Sequence, residues 1–352
     1  MKLYSNVTII FGIWAACVLT VFYFSFSFFP RSDLFTHDFL KNLANWDGGH
    51  YLGIAGNGYA NSQFVFFPLY PVLINLAGKI TGDFLSAGLL ISFASIFLAV
   101  HLFYRLVKMD FGKQYAVGAL SALLFFPLSF HFLTVYTESL FLILTLAVFL
   151  FARKRKYFLA TVCAALASAT RVSGLATVLS LILSVYLTEG INKKNFWVLF
   201  SPLGFAAYCF YLYTQTGDPL AFVKGQSVFW QGGLVVPGSS VIFAIRHLSF
   251  ESIAGNFRNL LDIIFAVFGI FAVWQVWRKL SFDYAVFSTV SLILPLFSPT
   301  LAAMPRYLLT IFPIFIVMSF YKNQYVILFY QMISLMLLSV YAILFLNGYW
   351  VS

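Results

Sequence analysis

Eleven acids in a chain of 352 residues make every carboxylate conspicuous. One of them lies in the stretch Trp46-Asp47-Gly48-Gly49-His50-Tyr51-Leu52-Gly53-Ile54-Ala55-Gly56-Asn57-Gly58-Tyr59. Asp47 and His50 stand three residues apart, a spacing that puts two side chains on one face of a helix. The glycines at 48, 49, 53, 56 and 58 permit close backbone approach by a ligand. Trp46, Tyr51 and Tyr59 offer flat faces for a sugar ring, or anchors at a membrane interface. Such a set suits proton abstraction, with Asp47 as general base toward a hydroxyl nucleophile. The plainer alternatives are a helix-cap or turn acid for Asp47 and a bystander role for His50.

Three further charged residues stand where a membrane chain has little reason to keep them. Glu138, in Tyr136-Thr137-Glu138-Ser139, lies between two apolar runs. It reads either as a helix-start acid favoured by the dipole or as a substrate-binding group. Arg171, in Thr170-Arg171-Val172-Ser173-Gly174, and Arg306, in Met304-Pro305-Arg306-Tyr307, sit beside glycine or proline breaks. Snorkelling at an interface accounts for such arginines. Both, however, fall at expected outer ends of spans, where the positive-inside rule would not place cations. Binding of an anion explains that placement. The planar guanidinium fork suits phosphate, and Tyr307 adds a hydroxyl beside it.

His101 and His131 lie in apolar runs and read as satisfied interior residues. Cys17, Cys163 and Cys209 also lie in apolar runs and read as small buried hydrophobes. No carboxylate cluster, C-x-x-C pair, H-E-x-x-H or phosphate-loop motif occurs, so neither a metal nor another cofactor is expected.

The elements that position these residues follow from composition. The chain is 62% hydrophobic and 9% charged, against roughly 25% charged in a soluble domain. Continuous apolar runs of about 20 residues predict an all-α, polytopic membrane protein and exclude a β-barrel, whose strands alternate. The net charge of +10 comes from basic residues in short loops; it sets orientation and does not point to nucleic acid. The runs predict about eleven spans or half-spans in a single membrane domain. They fall at 7–29, 64–80, 84–105, 115–152 split at Pro127 and 136–139, 157–187 split at 170–174, 196–214, 260–277, 284–302, 307–321 and 326–346. Two long loops, 31–63 and 215–258, are expected on the outer side, and Arg153-Lys154-Arg155-Lys156 on the inner side. Segment 64–80, broken by Pro68 and Pro71, is expected to re-enter without crossing.

The motifs in order resemble a known family. Trp46 to Ala55 followed by Gly58-Tyr59 resembles the first-loop motif of the second mannosyltransferase of glycosylphosphatidylinositol anchor synthesis and its bacterial relatives. Phe66-Phe67-Pro68-Leu69-Tyr70-Pro71 is similar to the family's second motif and Tyr136-Thr137-Glu138-Ser139-Leu140-Phe141 to its third. Thr170-Arg171-Val172-Ser173-Gly174 is similar to the fourth, where the family more often has proline at Val172. Pro305-Arg306-Tyr307 through Phe312-Pro313 is similar to the fifth. His50 stands where many relatives carry an aromatic residue, and the 215–258 loop matches no motif.

The resemblance implies a GT-C class glycosyltransferase fold and a polyprenyl-phosphate-linked mannose donor. It further implies inverting transfer, with Asp47 as catalytic acid residue and general base. Beside the resemblance, the residues themselves mark Trp46, His50, Tyr51, Glu138, Arg171, Arg306 and Tyr307 as expected substrate contacts, with Arg171, Arg306 or both holding the departing phosphate. The prenyl tail lies among membrane lipids. The acceptor is a lipid, a glycan or a protein, and the 215–258 loop is where its choice is expected to lie. Short loops favour the bacterial cytoplasmic membrane, with the site facing outward. The competing readings are a polyprenyl-carrier phosphotransferase or ligase, and a secondary transporter; the latter would show internal repeats and charges near the bilayer midplane.

Overall fold

The computed structural model describes residues 7–30, 32, 38–60, 63–230, 239–246, 253–298 and 300–351. Asp33 and His37 of the first loop and His247 of the second lie outside them. Among the described residues there are seventeen α-helices and no strand. In chain order they are α1 (Val7–Phe28), α2 (Phe39–Asn42), α3 (Asp47–Asn57), α4 (Leu69–Thr81), α5 (Phe84–Asp110), α6 (Lys113–Leu124), α7 (Glu138–Arg153), α8 (Tyr157–Thr170) and α9 (Gly174–Glu189). They continue as α10 (Leu203–Thr216), α11 (Ala221–Trp230), α12 (Ser239–Arg246), α13 (Ile253–Lys279), α14 (Phe282–Leu296), α15 (Met304–Leu309), α16 (Pro313–Met318) and α17 (Gln324–Leu346).

Local chemistry explains the boundaries. Asp83 caps α5 by accepting from the Leu85 and Ser86 N–H groups at 3.3 and 2.7 Å, and Asn323 caps α17 in the same way. Such caps satisfy donors that a helix start leaves open. Helix α6 stops at Leu124, just before Pro127. A short 3-10 turn, Ser129–Leu133, follows, and helix resumes at Glu138. Gly217, at φ 73°, ends α10 in the left-handed conformation that glycine adopts without a side-chain clash.

Among the described residues, five stretches are long and apolar enough to cross a membrane: Val7–Phe28, Phe84–Asp110, Phe196–Thr216, Asn259–Lys279 and Gln324–Leu346. With the composition, these make the chain an integral membrane protein of the helical class.

Two segments differ from the sequence expectation. The run 307–321, expected as one returning span, forms the short helices α15 and α16, and residues 308–317 are buried. Thr310 caps α15 and Pro313 opens the next helix, so the apolar run is interior packing rather than a lipid-facing rod. The segment 215–258, expected as a loop, contains α11, α12 and the start of α13. Short apolar patches between its glycines, such as Val241-Ile242-Phe243-Ala244-Ile245, are enough for single helices there.

The chain divides into two compact units. The first comprises Met1–Gly58, Leu69–Leu150 and Phe315–Val351. Within it α1 packs on α17, and α5 packs on α4 and α6. Its centre holds Trp14, fully buried, whose indole N–H donates to the Ser129 hydroxyl at 3.1 Å. A buried polar indole needs such a partner.

The second unit comprises Tyr59–Pro68 and Phe151–Ile314. Here α9 packs on α8 and α14, and α13 packs on α14 and α15. Arg153 pairs with Asp283, its guanidinium lying 5.0 Å from the Tyr284 ring centre, and the Ser180 hydroxyl donates to the Asp283 carbonyl at 2.7 Å. A second cluster gathers Phe64, Phe67, Tyr208, Leu212 and Phe222.

Candidate functional site

The first unit holds Trp46, Asp47, His50, Tyr51 and Glu138. Asp47 is the first residue of α3 and is half-buried. The turn before it is unusual. Trp46 has φ 59° and ψ −118°, the first central position of a type II′ turn, where glycine is normally required. The Gly48 N–H closes that turn on the Asn45 carbonyl at 3.3 Å. The same carbonyl accepts the Tyr136 hydroxyl at 3.0 Å.

Around this turn the fit is close. The Val135 N–H donates to the Leu43 carbonyl at 3.0 Å. A Cβ added at Gly48 would lie 3.1 Å from the Val135 carbonyl oxygen and 3.2 Å from the Ala44 Cβ. Glycine at 48 is therefore set by the approach of segment 129–138, not by turn conformation.

His50 is half-buried on the first turn of α3. Burial pushes its pKa below the usual imidazole range, and the Asp47 charge pulls partly back. Tyr51 is buried, with its ring edge-on to Tyr70, centres 5.3 Å apart. It packs the helix into its unit and presents little face to a ligand. Glu138, 1% exposed, opens α7. Next to it, the Tyr136 carbonyl accepts from Ser92 at 3.4 Å, and Ser92 shares a 2.7 Å bond with the Tyr70 hydroxyl. Hydrogen bonds thus join residues of the second motif, the third motif and the Asp47 turn. His131 is buried among Phe130, Tyr136 and Phe345, with ring centres 4.4, 4.6 and 5.1 Å away.

The second unit holds Arg171, Arg306 and Tyr307. Arg171 follows the last residue of α8 in extended backbone. Its guanidinium carbon lies 5.8 Å from the Tyr307 ring centre, a cation–π arrangement. Gly174, which opens α9, lies so close to α8 that an added Cβ would collide with the Ala167 carbonyl. Arg306 is 6% exposed in α15. That short helix is launched from Ala303 at φ 68°, with Pro305 in its first turn. Arg306 and Tyr307 line a cavity of about 130 Å³ with Ser173, Ser298, Thr300 and an apolar wall that includes Phe222 and Pro295. A buried cation beside hydroxyls and apolar surface suits an anionic headgroup carrying a hydrophobic tail.

The structure thus brings the fourth and fifth motifs together in one unit, and the Asp47 turn together with the third motif in the other. Sequence reading missed Asn45, whose side chain and carbonyl both anchor the Asp47 turn, and assigned no role to the Tyr136 hydroxyl. The one available signal was two asparagines, Asn42 and Asn45, close before Asp47 in a chain poor in polar residues. Among the described residues no three His, Cys, Asp or Glu side chains gather as a metal site.

No family model matches the chain, and no curated protein matches it. Solved structures do. The oligosaccharyltransferase of Archaeoglobus fulgidus, in complex with Zn and sulfate, is 12% identical with a TM-score of 0.49, covering 96% of this chain and 53% of that one. The same protein tethered to an acceptor peptide containing the NVT sequon is 13% identical with a TM-score of 0.48, covering 97% and 55%. Its apo form is 13% identical with a TM-score of 0.46. The chain spans about half the length of the solved structures it matches.

Proposed function

We propose that this protein is a GT-C class membrane glycosyltransferase. It moves a hexose, mannose by motif resemblance, from a polyprenyl-phosphate donor to an acceptor hydroxyl. The observation that carries the proposal is the turn at Trp46-Asp47, a tryptophan in a conformation reserved for glycine, immediately before the acid that the motif marks. Strained backbone of this kind costs on the order of 1–3 kcal/mol and persists where the surrounding structure enforces it, often at active sites.

Asp47 takes the proton of the acceptor hydroxyl as that oxygen attacks the anomeric carbon. The new C–O bond forms as the bond to phosphate breaks, which inverts the anomeric centre. The electron pair leaves with the polyprenyl phosphate, whose charge Arg306 and Arg171 stabilise, with Tyr307 beside them. Trp46 and His50 contact the sugar or acceptor, and Glu138 binds substrate. The apolar wall near Arg306 takes the first part of the prenyl chain. The charge pattern supports a site facing outward, and the short loops favour a bacterial cytoplasmic membrane.

The test uses purified protein with polyprenyl-phosphate mannose labelled in the sugar. Transfer of sugar label with release of polyprenyl phosphate supports the proposal, and transfer of phosphate overturns it in favour of a phosphotransferase.

A further inference from the structure

We infer that Asn45 and Tyr136 are positioning residues that hold the Trp46-Asp47 turn in its strained form and so aim the Asp47 carboxylate. This rests on the reading of Asp47 as the base.

The Asn45 carbonyl has two lone pairs, and each has a donor. The Gly48 N–H closes the turn at 3.3 Å, and the Tyr136 hydroxyl donates at 3.0 Å from a separate segment. Asn45 is 4% exposed, and its side chain is bonded separately. Its amide N–H groups donate to the Phe345 and Leu346 carbonyls at 2.9 and 3.4 Å. Those carbonyls lie in the last turn of α17, where a helix leaves acceptors open to capping donors; the Phe345 carbonyl also accepts the Gly348 N–H at 3.1 Å. Asn347 extends the same anchor: its amide donates to the Ser25 hydroxyl at 2.7 Å, and its carbonyl accepts the Ser32 N–H at 2.9 Å.

The residue before Trp46 is therefore fixed from three directions. A tryptophan at φ 59°, ψ −118° relaxes unless its neighbours prevent it. Without the Tyr136 hydroxyl, the Asn45 carbonyl keeps only the turn's own hydrogen bond, and the side-chain anchor to the end of α17 does not restrain that peptide oxygen directly. The peptide plane between Asn45 and Trp46 then rotates, and Asp47 at the start of α3 loses its aim.

Tyr136→Phe removes one oxygen. It leaves the ring, which packs 4.6 Å from His131 and 5.8 Å from Phe345. Expected results are a kcat for sugar transfer lower by about tenfold, with donor KM within about twofold, since misplacing a catalytic group costs rate before affinity. Amide hydrogen exchange at residues 46–49 should rise, with the α5 amides unchanged. Trp46→Gly, which adopts this conformation freely, should restore exchange protection at residues 47–49 in the Tyr136→Phe background. Unchanged kcat and unchanged exchange at 46–49 in Tyr136→Phe overturn the inference even if Asp47→Asn is inactive. A fully active Asp47→Asn protein with raised exchange in Tyr136→Phe removes the base and leaves only a structural tie, which overturns the positioning role by a different route.

Discussion

The Arg171 guanidinium carbon lies 5.8 Å from the centre of the Tyr307 ring, which joins the fourth and fifth motifs at one point of the second unit. Arg306, the neighbour of Tyr307, lines the adjoining cavity. The two arginines are not equivalent. Arg306 is buried and Arg171 only partly so, and a charge-assisted bond strengthens as water is removed.

Arg306→Ala should therefore raise the donor KM by about ten- to a hundredfold, the scale of one lost charge-assisted hydrogen bond. Arg171→Ala should raise it less. Arg306→Lys keeps the charge and loses the planar fork, so its effect should fall between. Donor titrations of the three purified variants check this, with circular dichroism confirming that each is folded. Parent-like donor affinity in all three would remove the phosphate role.

Gly48 faces the Val135 carbonyl with no room to spare. Gly48→Ala should destabilise the first unit by about 1–3 kcal/mol, because tightly packed backbone must shift. It should also lower kcat, since the displaced segment bears Asp47. Thermal unfolding in detergent and single-turnover transfer measure the two effects separately. A variant as stable and active as the parent would mean that segments 44–48 and 135–136 yield easily.

The apolar runs predicted the long helices well; the expected span 7–29 is α1, Val7–Phe28. They failed at 307–321 because hydropathy alone does not distinguish a lipid-facing rod from buried interior helices. Only Pro313 hinted at the break. The motifs mark Asp47, Arg171, Arg306 and Tyr307 one by one, but local spacing does not connect Arg171 to the distant Tyr307 ring it lies against. The II′ turn could not be read, because Trp46 occupies a position that rules of turn chemistry reserve for glycine. It is imposed from distant residues, Tyr136 and the end of α17, which sequence spacing does not connect.

Burial holds the His50 pKa below the ordinary imidazole value. The folded protein thus binds its proton at lower pH than the unfolded chain does. As pH falls from the ordinary value of about 6.5 toward the lower folded value, the unfolded state gains protons first and stability declines. His50→Gln should flatten that acid slope while leaving stability above pH 7 little changed. Unfolding midpoints from pH 5 to 8 test it, and an identical slope in the variant would place the titrating group elsewhere.

The central claim is that Asp47 is the base, and Asp47→Asn tests it most directly. The substitution is nearly isosteric and keeps the start of α3 in place while removing the proton acceptor. Transfer of labelled mannose from polyprenyl-phosphate mannose should fall by at least about a hundredfold, with membrane insertion, folding and donor affinity unchanged. An Asp47→Asn protein that transfers sugar at the parent rate would contradict the account.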